Sequence, residues 1–83
     1  MRESIKEILG KTITGIVVAE SPRTPEMQVF MLFSDDTYFE LFGVGNGFTC
    51  AGGVDPGGID KVHSYLSKFN QAEIKMEFIR QGS

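Results

Sequence analysis

The chain has 83 residues, enough for one domain, and its 41% hydrophobic and 23% charged residues are typical of a globular protein. A net charge of −3 without a basic run disfavours nucleic-acid binding, because the Lys and Arg side chains that neutralise phosphates supply most of that affinity. One cysteine and one histidine exclude an internal disulfide and a standard structural zinc site. We therefore predict a single domain over residues 1–83 that holds no metal or other cofactor.

The sequence favours a cytoplasmic protein that binds no membrane. Charges at positions 2, 3, 6 and 7 interrupt the stretch in which a signal peptide would need a continuous apolar segment. The longest apolar run, Val29–Phe33, is far too short to span a bilayer.

A short amphipathic helix is predicted over residues 2–9. Its apolar side chains, Ile5, Ile8 and Leu9, recur at helical spacing. Gly10 follows where a left-handed C-terminal cap would lie. A helix this short needs support from the rest of the fold.

Three strands are predicted next. The β-branched residues between positions 11 and 20 favour the first strand, in which Gly15 is expected to form a bulge. A proline-containing break follows at residues 21–25, because proline donates no backbone hydrogen bond. Residues 26–43 then form a hairpin about Asp35 and Asp36.

The hairpin is the most informative segment, because it is predicted to be apolar on both faces. A two-residue loop would pair Phe33 with Tyr38 and Val29 with Phe42. One face then carries an ordinary core set, Phe30, Leu32, Phe39 and Leu41. The other face carries Val29, Met31, Phe33, Tyr38 and Phe42, interrupted only by Glu40.

The remaining elements are a glycine-rich loop, a helix and a strand. Seven of the ten glycines lie between Gly43 and Gly58, where a short strand over residues 48–51 is the only further strand predicted. Asp55 and Pro56 are typical of a helix start, with Asp as the cap and Pro at the first helical position. The helix carries one apolar stripe, Ile59, Val62, Leu66 and Phe69.

The final strand, residues 72–81, alternates between apolar and charged side chains and is predicted to have one wet face. Its apolar side chains are Ile74, Met76 and Phe78. We expect this strand or the first strand to lie at a sheet edge.

These elements predict an α+β fold in the order α-β-β-β-(β)-α-β. A small antiparallel sheet of four to five strands would carry two helices. The helices could each cover one face of the sheet, or the sheet could curl over one helix as a half-barrel.

In either arrangement the short first helix is a poor lid for the second hairpin face. Leaving its apolar side chains in water forgoes roughly 1.5–3 kcal/mol each. We therefore predict a non-enzymatic module that forms a homodimer or docks to another protein. The predicted interface is Val29, Met31, Phe33, Tyr38, Glu40 and Phe42.

The alternative is a minor thiol-dependent enzyme, for which Cys50 and His63 are the candidate nucleophile and base. A thiol becomes a useful nucleophile when an imidazole or a helix N-terminus lowers its pKa. The structural interpretation is that Cys50 is a small buried residue and His63 lies at the edge of the helical stripe.

A related alternative is a small-molecule or anion site in the Gly43–Gly58 loop, because glycine lets backbone amides approach phosphate or carboxylate groups. The candidates are Gly45, Gly47, Gly52 and Gly53. The loop lacks the Lys-Ser/Thr of a P-loop and the third glycine of a dinucleotide fingerprint. Turns that need positive φ angles explain the same glycines.

The carboxylates receive structural interpretations. Asp35 and Asp36 are predicted to lie in a solvated turn. Glu40 is interpreted, in order of preference, as edge protection against aggregation, as a partner for Lys11 or Arg80, or as an acid with a raised pKa.

Overall fold

A mainly antiparallel sheet with helices on both faces forms the frame of the molecule. The structure is a computed structural model, and it describes residues 3–22, 27–44, 47–70 and 73–80. The strands, in chain order β1 to β6, are Ile13–Glu20, Met27–Phe33, Thr37–Val44, Gly47–Cys50, Asp55–Pro56 and Glu73–Ile79. The spatial order is β4-β3-β2-β1-β6, and the two-residue β5 pairs with β3.

Two helical segments accompany the sheet. Glu3–Ile8 form a 3-10 helix, and Gly10 follows with φ 81°. This φ angle confirms the left-handed residue that the sequence predicts after the first helix. Helix α1 spans Ile59–Tyr65, and a π-helical turn over Leu66–Asn70 continues it.

The predicted α+β class is confirmed in outline, but two details are corrected. The described sheet has six strands rather than four to five. Asp55 and Pro56 do not start a helix; they pair with Tyr38 and Thr37 of β3 as β5. The Gly57 N–H holds this segment against the hairpin loop by donating to the Asp36 carbonyl oxygen at 2.8 Å. The helix therefore begins only at Ile59.

The hairpin register is also corrected, by one residue. Leu32 pairs with Tyr38 and Met31 with Phe39, so the loop has three residues rather than two. Asp36 takes φ 62° and closes a turn in which its N–H donates to the Phe33 carbonyl oxygen at 3.2 Å. This is the usual geometry of a three-residue hairpin loop, with its last residue in the left-handed region.

A one-residue slip moves every β3 side chain to the other face of the sheet. Face A carries the odd-numbered hairpin side chains, Met27, Val29, Met31, Phe33, Phe39 and Leu41. Face B carries the even-numbered ones, Gln28, Phe30, Leu32, Tyr38, Glu40 and Phe42. The predicted second face therefore does not exist as a set, because its β2 members lie on face A and its β3 members on face B.

The loop itself is solvated, as predicted. Asp35 is exposed, forms an ion pair with Lys11 and accepts a hydrogen bond from Thr37 Oγ1 at 2.5 Å. The hydrogen bond from the Lys11 ammonium is the main reason that the pKa of Asp35 lies below its usual range.

Each face of the sheet packs against one helical segment. On face B, α1 contributes Val62, with Leu66 following it, to a core of strand residues: Val17, Ala19, Phe30, Leu32 and Tyr38. On face A, Ile5 and Ile8 of the 3-10 helix pack on Phe33, Phe39 and Cys50. The predicted arrangement of two helices on opposite faces is therefore present, and the half-barrel over one helix is not.

The described sheet has two edge strands, β6 and β4. β6 lies at one edge, as predicted, whereas β1 lies between β2 and β6 and the other edge is β4. The register of β1 shifts between Ile13 and Gly15, which confirms the predicted bulge.

Candidate functional site

Three exposed apolar side chains lie together on face A, at the edge that β6 forms. Ile16 pairs with Phe78 across β1 and β6, and Met76 pairs with Val18. The exposed fractions are 37% for Ile16, 49% for Met76 and 62% for Phe78. We call Ile16, Met76 and Phe78 the β1–β6 surface.

The β1–β6 surface continues into the hairpin. Ile16 also pairs with Met31, and Val18 with Val29, so all these side chains share face A. Val18, Val29 and Met31 are half-buried. The result is an apolar surface that crosses three adjacent strands and becomes more exposed towards the edge.

This surface stays open because the 3-10 helix covers only the other half of face A. Ser4 Oγ donates to the Ala51 carbonyl oxygen at 2.6 Å, and the Val54 N–H donates to the Glu7 carboxylate at 3.3 Å. Both contacts anchor the helix over β3 and β4. Six helical residues span only about 12 Å at the 3-10 rise, too short to reach β6 as well.

Strand β6 is exposed along its whole length, which differs from the one wet face that the sequence predicts. All seven residues of Glu73–Ile79 are exposed. The register against β1 shifts between the pairs of Met76 and Ile74, so a bulge places Ile74 opposite Ala19 on face B. The alternation in the sequence is therefore broken in the fold.

Charged side chains flank the surface. At the end where β6 begins, Lys75 Nζ lies 3.4 Å from a carboxylate oxygen of Glu73 and 3.8 Å from a carboxylate oxygen of Glu20. At its other end, the Arg80 N–H donates to the Thr14 carbonyl oxygen at 2.8 Å. Arg80 lines a shallow depression together with Ile16 and Phe78.

The structure distributes the predicted interface residues over both faces. Val29 and Met31 lie on face A beside the β1–β6 surface, and Phe33 is buried under the 3-10 helix. Tyr38, Glu40 and Phe42 lie on face B, where Tyr38 is buried in the core and burial raises its pKa. The six residues therefore do not form one surface.

Glu40 is a half-buried acid on face B. Its carboxylate accepts a hydrogen bond of 2.6 Å from Nε2 of Gln28, a side chain with no exposed area. Burial raises the pKa of Glu40, the hydrogen bond from Gln28 opposes that shift, and the charge of Asp55 adds to it. Of the three interpretations, this environment favours the acid with a raised pKa.

The structure does not bring Cys50 and His63 together. Cys50 lies on face A with 1% exposure, where its Sγ is 3.7 Å from Ser4 Oγ. His63 belongs to α1 over face B and contacts the Glu77 carboxylate. The sheet separates the thiol from the imidazole, so His63 cannot act as its base in this fold.

The glycine candidates are dispersed as well. Gly45 lies outside the described residues, Gly47 begins β4, and Gly52 and Gly53 lie in the turn after it. A carboxylate of the chain itself already faces that turn: Glu7 Oε1 would lie 3.1 Å from a Cβ on Gly53. An incoming anion would meet the negative charge of Glu7 there.

Within the described ranges, no three His, Cys, Asp or Glu side chains are grouped so as to hold a metal ion. Over the same ranges, the helices fall short of the length and apolar character that a membrane span requires.

Sequence reasoning missed the β1–β6 surface. The apolar alternation of Met76 and Phe78 is visible in the sequence, but it indicates a buried face when the neighbouring cover is unknown. The signal that could have found the surface is the mismatch between a predicted sheet of four to five strands and a first helix of only eight residues.

Comparison with protein-family models, with curated proteins and with solved structures gives no match for this chain.

Proposed function

We propose that the protein is a non-enzymatic interaction module that binds another polypeptide through the β1–β6 surface. The observation that carries the proposal is the shared exposure of Ile16, Met76 and Phe78 on one face of two adjacent strands. Contiguous exposed apolar surface is typical of protein interfaces. The location differs from the interface predicted from sequence, but the proposed role is the same.

The energetics support a modest affinity. Roughly half of each side chain remains exposed, so complete burial would contribute about 1–2 kcal/mol for each of the three. Association itself costs several kcal/mol in lost rotation and translation. The half-buried neighbours Val29 and Met31 extend the contact, and a reversible complex is the expected outcome.

Methionine oxidation tests whether a partner covers the surface. Met76 is the probe, because it is 49% exposed and lies on the β1–β6 surface. Dilute purified protein gives the reference, which is the rate at which peroxide oxidises Met76 in the wild type relative to the Phe78→Ser variant. In intact cells that express either protein, we expect Met76 of the wild type to oxidise several-fold more slowly, relative to Phe78→Ser, than this reference.

The same relative rate in cells as in dilute protein, measured by mass spectrometry of the Met76 sulfoxide, would contradict the proposal. Protection of Met76 that persists in the Phe78→Ser variant would contradict it too, because the cover would then not depend on the β1–β6 surface.

A further inference from the structure

We infer that the partner of the β1–β6 surface is a second copy of this chain, packed face to face with the strands of the two copies running in opposite directions. This inference rests on the proposed function and adds the identity of the partner and its orientation. Its basis is the distribution of charge at the two ends of β6.

The two ends of the surface carry opposite net charge among the described residues. Glu20, Glu73 and Lys75 lie at one end, two carboxylates with one ammonium, for a net charge of −1. Arg80 lies at the other end, is exposed, and forms no ion pair with any described residue. Each end lacks the charge that the other supplies.

The charges select one of the two symmetric ways to stack this face on itself. A two-fold axis along the strands would place like ends together, with Glu73 over Glu73 and Arg80 over Arg80. An axis across the strands reverses one copy, so that Arg80 of each copy meets Glu73 of the other. A two-fold contact doubles every such pair, which makes the second arrangement the favoured one.

The apolar residues lie where this axis would pass. The midpoint between Glu73 and Arg80 falls between Met76 and Glu77, and Phe78 is the next residue on face A. Seven residue steps separate Glu73 from Arg80, about 23 Å of strand. The centre of the contact is therefore apolar and its rim is charged, as in most protein interfaces.

Pairing of two β6 edges within one continuous sheet is the less suitable arrangement. The bulge between Ile74 and Met76 interrupts the regular ladder, and charged side chains line the strand. Bulges and charges on edge strands oppose edge-to-edge association. The contact between copies is therefore assigned to face A rather than to the free backbone groups of β6.

Sedimentation equilibrium of the purified chain from about 1 µM to about 1 mM tests the inference, a range that covers weak dimers. We expect a monomer–dimer equilibrium that Phe78→Ser weakens at least about tenfold. Phe48→Ser is the matched control, because Phe48 is 59% exposed against 62% for Phe78 but lies at the opposite edge, on β4. It should leave the equilibrium unchanged.

Charge reversal tests the orientation. Arg80→Glu alone and Glu73→Arg alone each create two repulsive pairs in a homodimer, and each should weaken it about tenfold. An equimolar mixture of the two variants should dimerise within about threefold of the wild type, because both cross pairs then become attractive. Both substitutions lie at exposed positions and leave the core intact.

The outcomes separate this inference from the function on which it rests. A chain that stays monomeric to about 1 mM, while Met76 is protected in cells, overturns the second copy as partner and leaves the interaction module standing. Dimerisation that Phe78→Ser does not affect, or a mixture that associates no better than the single charge variants, overturns the face or the orientation. A monomer with unprotected Met76 overturns both proposals.

Discussion

At the scale of single residues, Glu40 and Gln28 form a polar pair on face B, beside the apolar core that packs against helix α1. Gln28 has no exposed area, so its amide depends on partners within the protein, and Glu40 supplies one of them. The Glu40 carboxyl is itself half-buried, and burial disfavours its ionised form. The contribution of Glu40 to stability therefore depends on pH.

Burial raises the pKa of Glu40 above its ordinary value of 4.5, so the folded state binds the proton more tightly than the unfolded chain. The stability contributed by this group is fully present below the unfolded pKa and is lost as the pH rises through the folded pKa. Glu40→Gln should keep an oxygen that accepts the bond from Gln28 and remove this loss. At neutral pH the variant should be more stable, on the order of 1 kcal/mol.

Urea unfolding of both proteins between about pH 4 and about pH 7 measures the effect as a difference that grows with pH. Parallel stability curves for the wild type and Glu40→Gln would show that the folded state does not favour the protonated acid.

At the scale of elements, the sequence predicts what local residues decide. The cap at Gly10 is confirmed because it needs a positive φ angle, and the bulge at Gly15 is confirmed at a position where the absence of a Cβ lets β6 approach closely. The hairpin register is wrong because Asp35 and Asp36 suit a two-residue and a three-residue loop equally well. The exposed state of β6 is missed because its bulge and its missing cover depend on partners distant in sequence.

The same distinction explains how much of the candidate site the sequence predicts. Val29 and Met31 are in the predicted interface and lie beside the β1–β6 surface, because the alternation within β2 is unaffected by the loop length. Tyr38 and Phe42 are on the other face because the extra loop residue inverts β3.

Gly15 provides a test of how β6 is held against β1. A Cβ at this position would lie 2.7 Å from Ile79 Cδ1 and 3.3 Å from the Phe78 carbonyl oxygen. Gly15→Ala should therefore rotate the partly exposed Ile79 side chain and press on the β6 backbone, at a cost of about 1 kcal/mol in the free energy of unfolding. Amide hydrogen exchange in β6 should accelerate more than exchange in β3.

Two variants check this explanation of Gly15→Ala. Adding Ile79→Val removes the Cδ1 atom and should restore part of the lost stability. Gly43→Ala is the control on another strand, because a Cβ there meets its nearest neighbours at an ordinary 3.8 Å. If Gly15→Ala lowers the free energy of unfolding no more than Gly43→Ala does, then β6 moves away from the added methyl group at no measurable cost. Strand β6 would then not pack closely on β1.

At the scale of the whole molecule, the helical segments cover the two faces of the sheet to different extents. Helix α1 and the π-helical turn after it supply Val62 and Leu66 to the core on face B, whereas the 3-10 helix covers half of face A. A chain of 83 residues buries only about 60–65% of the surface that its unfolded form exposes. An additional contact on face A would therefore add a substantial fraction of the total stability.

If a second copy supplies that contact, thermal stability depends on protein concentration, because only the folded chain dimerises. For a chain that is mostly dimeric, a hundredfold rise in concentration adds about 2.7 kcal/mol per dimer, or about 1.4 kcal/mol per chain. For a domain of this size the expected rise in Tm is roughly 5–10 °C. Scanning calorimetry above the dissociation constant should record this rise for the wild type and for Phe48→Ser. It should be absent from Phe78→Ser at concentrations where that variant is monomeric, and an equal rise in all three proteins would locate the contact elsewhere on the molecule.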